Sequence, residues 1–173
     1  MKSLTVRRCP GSVGKLIRLK STLSIDQSLD GTRPFPFLLL DGLIADLRAW
    51  KGCDGDGTVS GISNFAPKAI MRFWQLLNKS NLEPKEAEEL SQLESALSRA
   101  DVQAVPAGVR GMSTSNITCT RLSTANRNVE YALHKMHGYS ITPRRPLLPL
   151  GKAEGDRFMA VLEEVLRIES TLA

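Results

Sequence analysis

Aromatic residues and long apolar runs are both scarce in this chain. Only 5% of the 173 residues are Phe, Trp or Tyr, which leaves few stacking platforms for single-stranded nucleic acid. The most apolar run, Phe37–Leu40, ends at Asp41 and is far shorter than the roughly 20 residues of a membrane-spanning helix. The basic segment Met1–Arg8 has no apolar stretch after it, so it does not resemble a secretory signal. We therefore expect neither nucleic acid nor a membrane among the partners.

Metal-binding and disulfide patterns are also missing. The three cysteines, Cys9, Cys53 and Cys119, are odd in number and far apart, so they indicate neither a zinc site nor a disulfide framework. His134 and His137 lie three apart on a predicted helix, and we interpret them as ordinary surface or half-buried histidines. The net charge of +5 is typical of a mildly basic soluble protein. We expect reduced thiols in a cytoplasmic protein, with no metal and no cofactor.

The glycine-rich segment Cys53–Gly57 matches neither of two ligand-binding motifs that it resembles at first sight. A calcium loop that starts at Asp54 would need Gly and Glu at its sixth and twelfth positions, which are Val59 and Phe65. A dinucleotide fingerprint would need a third glycine where Ser60 stands, and it would follow a strand. Turn chemistry therefore explains this segment better.

The middle of the chain predicts one strand–helix–strand unit. Phe35–Leu40 is a continuous apolar run of strand length, as in strands that a parallel sheet buries on both faces. Leu43–Trp50 has helical spacing and ends near Gly52, a candidate C-terminal cap. Gly57–Ile62 is β-rich and follows a turn. These elements predict a right-handed βαβ unit that belongs to a larger sheet.

The rest of the chain reads as mainly helical. A strand through Leu4 and Val6 and a short helix over Val13–Leu23 precede the βαβ unit. Helices are predicted at Lys68–Leu77, Pro84–Ala100, Asn128–Met136 (closed by Gly138) and from Lys152 to about Thr171. Met112–Asn126 is Ser/Thr/Asn-rich, has no core-facing period and is interpreted as an irregular insertion. We therefore divide the chain into a partial α/β sheet over residues 1–67 and a helical remainder over 68–173.

Two segments carry a more specific pattern. Phe37–Lys68 contains Gly42 at the end of a strand and a G-x-G-x-[IV]-[ST]-x-x-x-N-x-x-P pattern. That pattern falls on Gly55, Gly57, Val59, Ser60, Asn64 and Pro67. Tyr139–Leu150 contains an R-x-P-L-x-P-L linker, which falls on Arg144, Pro146, Leu147, Pro149 and Leu150. A third segment, Gly14-Lys15-Leu16, matches the same family more weakly. In chain order, the three segments resemble the start of the helix after strand six, then strands seven and eight, then the last linker of the dihydrodipicolinate synthase and N-acetylneuraminate lyase family.

This resemblance implies the C-terminal part of a (β/α)8 barrel, followed by a C-terminal helical extension. Family members are pyruvate-dependent lyases, and full-length relatives are expected to be homo-oligomers. A lysine on strand six forms a Schiff base with a 2-oxo acid such as pyruvate. The protonated imine of this Schiff base then serves as an electron sink. A tyrosine from strand five moves protons, and hydroxyl residues from strand two hold the carboxylate; neither strand is expected within these 173 residues.

The carried-over site residues are few. An alignment without gaps places the lysine position on Arg7, whose guanidinium forms no useful Schiff base. Gly42 would let a ligand approach, Val59 would pack against pyruvate, and Gly61 would leave room for the second substrate. For Val59, a buried barrel residue without that role is an equally good interpretation. The expectation is thus a lyase family member that is truncated and inactive alone, and the alternative is a non-catalytic fragment that serves as an oligomerisation or interaction module.

Overall fold

A computed structural model of the chain describes residues 2–5, 13–14, 17–22, 37–103, 128–142 and 149–172. Two compact units divide between Ser60 and Gly61, with Met1–Ser60 in the first and Gly61–Ala173 in the second. Among the described residues, no helix is both long enough and apolar enough to cross a bilayer.

A short parallel sheet organises the first unit. Strand β1 (Lys2–Thr5) pairs in parallel with strand β2 (Phe37–Leu40), with Lys2 opposite Phe37 and Thr5 opposite Leu40. Leu39 of β2 is buried, which fits its place in a continuous apolar run. Helix α1, described at residues 13–14 and 17–22, lies where the sequence predicts a short helix. The parallel pairing confirms the predicted α/β character of this unit.

The helix after β2 is shorter than predicted. Helix α2 spans Leu47–Gly52, so it begins four residues after the predicted start at Leu43. Leu43 is buried but lies in the connection, because apolar spacing reports burial as well as helical periodicity. At the other end the residue with positive φ is Asp54, at 63°, and not Gly52. Asp tolerates this left-handed conformation better than most residues.

The predicted strand Gly57–Ile62 is wrong in extent. Only Thr58 pairs with the sheet, in one parallel bridge to Asp41, and Gly61–Asn64 is a 3-10 helix. Two local features explain the difference. The Asp56 side chain, not a backbone carbonyl, accepts the Leu39 N–H at 2.8 Å. Gly57 then adopts a φ of 144°, which is outside the range of a regular strand.

The second unit is a helical body whose elements agree closely with the sequence. Helix α3 spans Pro67–Leu77, α4 spans Pro84–Gln103, α5 covers 128–137 and α6 spans Lys152–Thr171. Pro67 occupies the first turn of α3, where its missing N–H costs nothing. The predicted cap Gly138 has a φ of 70°. Helices α3, α4 and α6 pack on one another. Their buried apolar side chains include Ala69, Phe73, Leu76, Leu90, Leu93, Leu97, Phe158, Leu162 and Val165.

Helix α6 also closes the amino end of α3. The Glu169 carboxylate accepts the backbone N–H groups of Lys68 and Ala69 at 3.1 and 2.8 Å. These N–H groups have no partner within α3, and a carboxylate at a helix amino end is favoured by the helix dipole. These two hydrogen bonds link the last turn of α6 to the first turn of α3.

Candidate functional site

The carboxyl end of β2 is where the predicted site residues of the first unit meet. The Val59 N–H donates to the Asp41 carbonyl at 2.9 Å, and the Asp41 N–H donates to the Gly57 carbonyl at 3.0 Å. The Thr58 hydroxyl also donates to the Asp41 carbonyl, at 3.2 Å. These bonds bring the two segments that carry Gly42 and Val59 side by side. Active sites lie at the carboxyl ends of strands in barrel folds, so we name this the strand-end site.

Val59 presents its side chain at this strand end. Its side chain is 54% exposed, so Val59 is not buried in this structure. Gly42 is half-buried, and its N–H donates to the Asp41 carboxylate at 2.7 Å. An exposed apolar side chain next to a half-buried glycine is compatible with the predicted contact to a small ligand.

Gly61 has a packing role within the second unit. It begins the 3-10 helix Gly61–Asn64, and a Cβ added at Gly61 would lie 3.2 Å from Cγ2 of Val129 on α5. The Asn64 side chain also donates to the Gly61 carbonyl, at 2.9 Å. The predicted space beside Gly61 therefore has Val129 as its neighbour, and helix packing alone is enough to favour glycine there.

A tryptophan explains one glycine of the sequence pattern. Trp50 on α2 is fully buried, at 0% exposure, and a Cβ on Gly55 would fall under 3.0 Å from its ring. Above the same ring lies Lys20 Nζ, 5.9 Å from the centroid, and this ammonium pairs with Asp54 at 3.2 Å. Gly55 is therefore required by the close approach of the turn to Trp50. The G-x-G spacing marks this turn in the sequence, but it does not reveal the tryptophan.

The proposed lysine position cannot be placed on this geometry. Arg7 and Lys15 lie outside the described residues, as do the insertion 112–126 and residues 143–148 of the linker. Lys2 is described through its backbone at the amino end of β1, opposite Phe37. Thr5, at the carboxyl end, lies three positions further along the strand, which is about 10 Å. Lys2 therefore starts at the wrong end of its strand for a strand-end Schiff base.

The second unit contains a polar cluster that the sequence did not reveal. The Tyr131 hydroxyl donates to Asp156 at 2.7 Å, and Lys152 donates to the other carboxylate oxygen at 2.5 Å. The hydrogen bond to Asp156 raises the pKa of Tyr131, while the bonds from Lys152 and Tyr131 lower the pKa of Asp156. A tyrosine with a raised pKa stays protonated at neutral pH and gives up its proton less readily than an ordinary tyrosine. The cluster is therefore better suited to joining α5 and α6 than to catalysis.

No metal centre is visible in the part of the chain that the structure describes. There, no group of three or more His, Cys, Asp or Glu side chains is arranged to hold an ion. His134 Nδ1 is 2.6 Å from the Tyr139 carbonyl, which gives this ring a structural partner.

Comparisons with known proteins agree with the fold. No family model matches the sequence. A dihydrodipicolinate synthase family protein from Coccidioides immitis superposes with a TM-score of 0.59 at 20% identity, over 100% of this chain and 48% of that protein. A structure described as the first monomeric dihydrodipicolinate synthase variant superposes with a TM-score of 0.60 at 17% identity, over 93% and 44%. The chain thus spans less than half the length of these two proteins, and it shares its fold with part of a dihydrodipicolinate synthase family protein.

Proposed function

We propose that the chain is a member of the dihydrodipicolinate synthase and N-acetylneuraminate lyase family and corresponds to strands six to eight and the C-terminal helices of its barrel. Two independent observations support this. The fold superposes on two such proteins, and the sequence carries the family's glycine, serine, asparagine and proline pattern through the turn at Gly55. The single observation that carries the proposal is the superposition on these two proteins.

The ligand class follows from the family chemistry. We propose pyruvate or another 2-oxo acid, with Val59 as an apolar contact for its methyl end and Gly42 as the point of close approach. The Leu-Asp-Gly end of β2 resembles family members that act on 2-oxo-3-deoxy sugar acids or on 4-hydroxy-2-oxoglutarate, so these are the substrates to test first. Gly61 remains a proposed second-substrate position, with Val129 as its neighbour.

The 173-residue chain by itself is proposed to be catalytically silent. The Schiff-base step needs a neutral amine at the end of strand six, and the sequence places Arg7 there. Arginine keeps its charge at any physiological pH. Lys2, the nearest lysine in sequence, starts at the amino end of β1, so it is a poor substitute.

A turnover assay tests this function. The purified chain is incubated with a 2-oxo-3-deoxy acid, and released pyruvate is measured through coupled NADH oxidation. We expect no release above the buffer control, while an active family enzyme in the same assay gives the positive signal. Pyruvate release that scales with chain concentration would contradict catalytic silence and leave the family assignment standing.

A second candidate, an interaction module, is favoured by exposed apolar side chains on the helical unit. Met71 on α3 is 54% exposed and Tyr139 is 60% exposed, and each of these apolar side chains is accessible to a partner. Sedimentation velocity of the chain and of Met71→Glu tests this candidate. Self-association that is lost in Met71→Glu would favour it, and a monomer in both samples would contradict self-association through this surface.

A further inference from the structure

Helix α3 carries apolar side chains on the side that faces away from its own core. Its buried residues, Ala69, Phe73 and Leu76, form one stripe, and the helix packs on α4 and α6. On the opposite side Met71 is 54% exposed, and Trp74 is half-buried. A surface helix of a globular protein normally turns polar residues outward. The outward side of α3 instead has the composition of a contact surface, in which Trp and Met are enriched.

The outward residues form a row that is symmetric about its own midpoint. We name as the outer row the residues that share this helix face, Pro67, Met71, Trp74 and Asn78. Read from either end, the intervals are four, three and four residues. Two copies of α3 that lie antiparallel across a two-fold axis therefore place each Met71 opposite the partner's Trp74. Pro67 and Asn78 meet in the same way at the two ends of the row.

The flanks of the outer row are also self-complementary. Ile70 and Leu77 lie on one flank and are half-buried, whereas Lys68 and Gln75 lie on the other and are exposed. A two-fold axis perpendicular to antiparallel helices brings each flank against the same flank of the partner copy, so apolar side chains meet apolar ones. The Lys68 ammonium is bonded to the Leu172 carbonyl at 2.9 Å, and the antiparallel order keeps the two copies of Lys68 at opposite ends of the contact.

The ion pairs beside the outer row remove a charge that would oppose such a contact. An isologous interface places a surface against itself, so a net charge on it is repelled by its own copy. Arg72 donates to Glu89 through two hydrogen bonds of 2.7 and 2.6 Å. Lys79 donates to both carboxylate oxygens of Glu86, also at 2.7 and 2.6 Å. These two cations are thus neutralised within their own copy.

A cleft at the carboxyl end of α3 leaves room for a partner. It has a volume of about 500 Å³, and its walls include Trp74, Lys79 and Glu86. In the antiparallel order the partner's Met71 comes close to this cleft, because it lies opposite Trp74. Methionine is flexible and makes favourable sulfur–aromatic contacts, so its side chain suits a cleft with an indole wall.

We propose that the outer row is a self-association surface, on which α3 of a second copy packs antiparallel with each Met71 against the partner's Trp74. This inference rests on the second candidate of the proposed function, the interaction module, and it names the partner and the register of the contact. The contact is one pair of 11-residue helices, each about 16 Å long. That is small beside a standard protein interface, so the association is weak and depends on concentration.

A charge exchange between two chains tests the register. Met71→Glu and Trp74→Lys each bring an unpaired charge into the contact of the variant with itself, which is costly. Each purified variant should therefore be monomeric by sedimentation velocity at concentrations where the wild type associates. In an equimolar mixture the new carboxylate of one chain lies opposite the new ammonium of the other, and the second Met–Trp pair is intact. We expect the mixture to associate again.

A matched control and a second pair of variants support the test. Ala160 is an exposed residue of α6 outside the outer row, so Ala160→Glu should associate like the wild type. Circular dichroism verifies that each variant is folded. If Trp74→Lys does not fold, Pro67→Glu and Asn78→Lys replace the first pair, because both positions are exposed and lie opposite each other in the same register. Their mixture should then associate more strongly than either variant alone.

Three results would overturn the proposal. They are a wild type that stays monomeric across the concentration series, a Met71→Glu variant that associates like the wild type, and a mixture that associates no better than its components. If Met71→Glu loses association and the mixture does not regain it, the interaction module stands and this register falls. Family membership and pyruvate release are measured separately, so none of these results affects them.

Discussion

The close approach of Gly55 to the Trp50 ring allows a quantitative prediction. A methyl group at position 55 would lie under 3.0 Å from three atoms of the Trp50 ring, a distance that real Cβ contacts do not show. The ring is fully buried, so it can yield only by displacing its neighbours, Leu39 among them. We therefore expect Gly55→Ala to force a shift of the ring or of the turn.

The magnitude follows from overpacking. Inserting a methyl group into a packed core costs about 1–3 kcal/mol, and displacing the ring from beneath Lys20 removes a cation–π contact worth roughly 0.5–1 kcal/mol. Gly55→Ala should therefore lower the free energy of unfolding by about 1.5–4 kcal/mol. Urea unfolding followed by tryptophan fluorescence measures the change, with the slope of the transition reported as well as its midpoint.

Gly52→Ala is the matched control. Gly52 is the last residue of α2, and a Cβ there would meet nothing within 4 Å. Alanine is the better helix former by about 1 kcal/mol, so this variant should be neutral or slightly more stable. In a Trp50→Phe background the smaller ring should reduce the cost of Gly55→Ala, and this coupling is the signature of a direct contact. Equal stability of Gly55→Ala and Gly52→Ala would refute the reasoning.

Two further predictions concern the helical unit. A Cβ at Gly155 would fall under 3.0 Å from the Tyr131 ring, so Gly155→Ala should lower the urea midpoint, while Gly151→Ala, whose Cβ has open space, should lower it much less. Arg72 binds Glu89 through two bonds of 2.7 and 2.6 Å and lowers the pKa of Glu89 below its ordinary 4.5. The charged form thus stabilises the fold above about pH 4.5, and this stabilisation is lost as the pH falls through the lowered value. Glu89→Gln should flatten that part of the stability–pH curve by about 1 kcal/mol or less, and an unchanged curve would contradict the assignment.

Helix bounds in the second unit could be predicted because their signals are local. Pro67 starts α3 and Gly138 follows α5, and each acts through the backbone of a few neighbouring residues. The predicted helix from Lys152 to about Thr171 agrees with α6, since a long apolar period leaves little ambiguity. The strand Phe37–Leu40 could be predicted for the same reason, because its signal is a continuous apolar run within the strand itself.

Features that depend on distant residues could not be predicted. Gly57–Ile62 has the composition of a strand, but whether a strand forms depends on the partner, and the Asp56 side chain takes one ladder position. The contact of Gly55 with Trp50 is likewise a close approach in space that no periodicity records. Of the candidate site, sequence reasoning named Gly42 and Val59, but it did not predict the bond between the Asp41 side chain and the Gly42 N–H.

Borohydride trapping with pyruvate tests the central claim most directly, the claim that this chain has the family fold without its Schiff-base chemistry. Reduction converts an imine into a stable adduct, which intact mass detects, and circular dichroism verifies that the sample is folded. We expect no adduct on the 173-residue chain under conditions in which an active family enzyme is labelled. A stoichiometric pyruvate adduct on a lysine such as Lys2 or Lys15 would contradict it, and would show that the assignment of the lysine position to Arg7 is wrong.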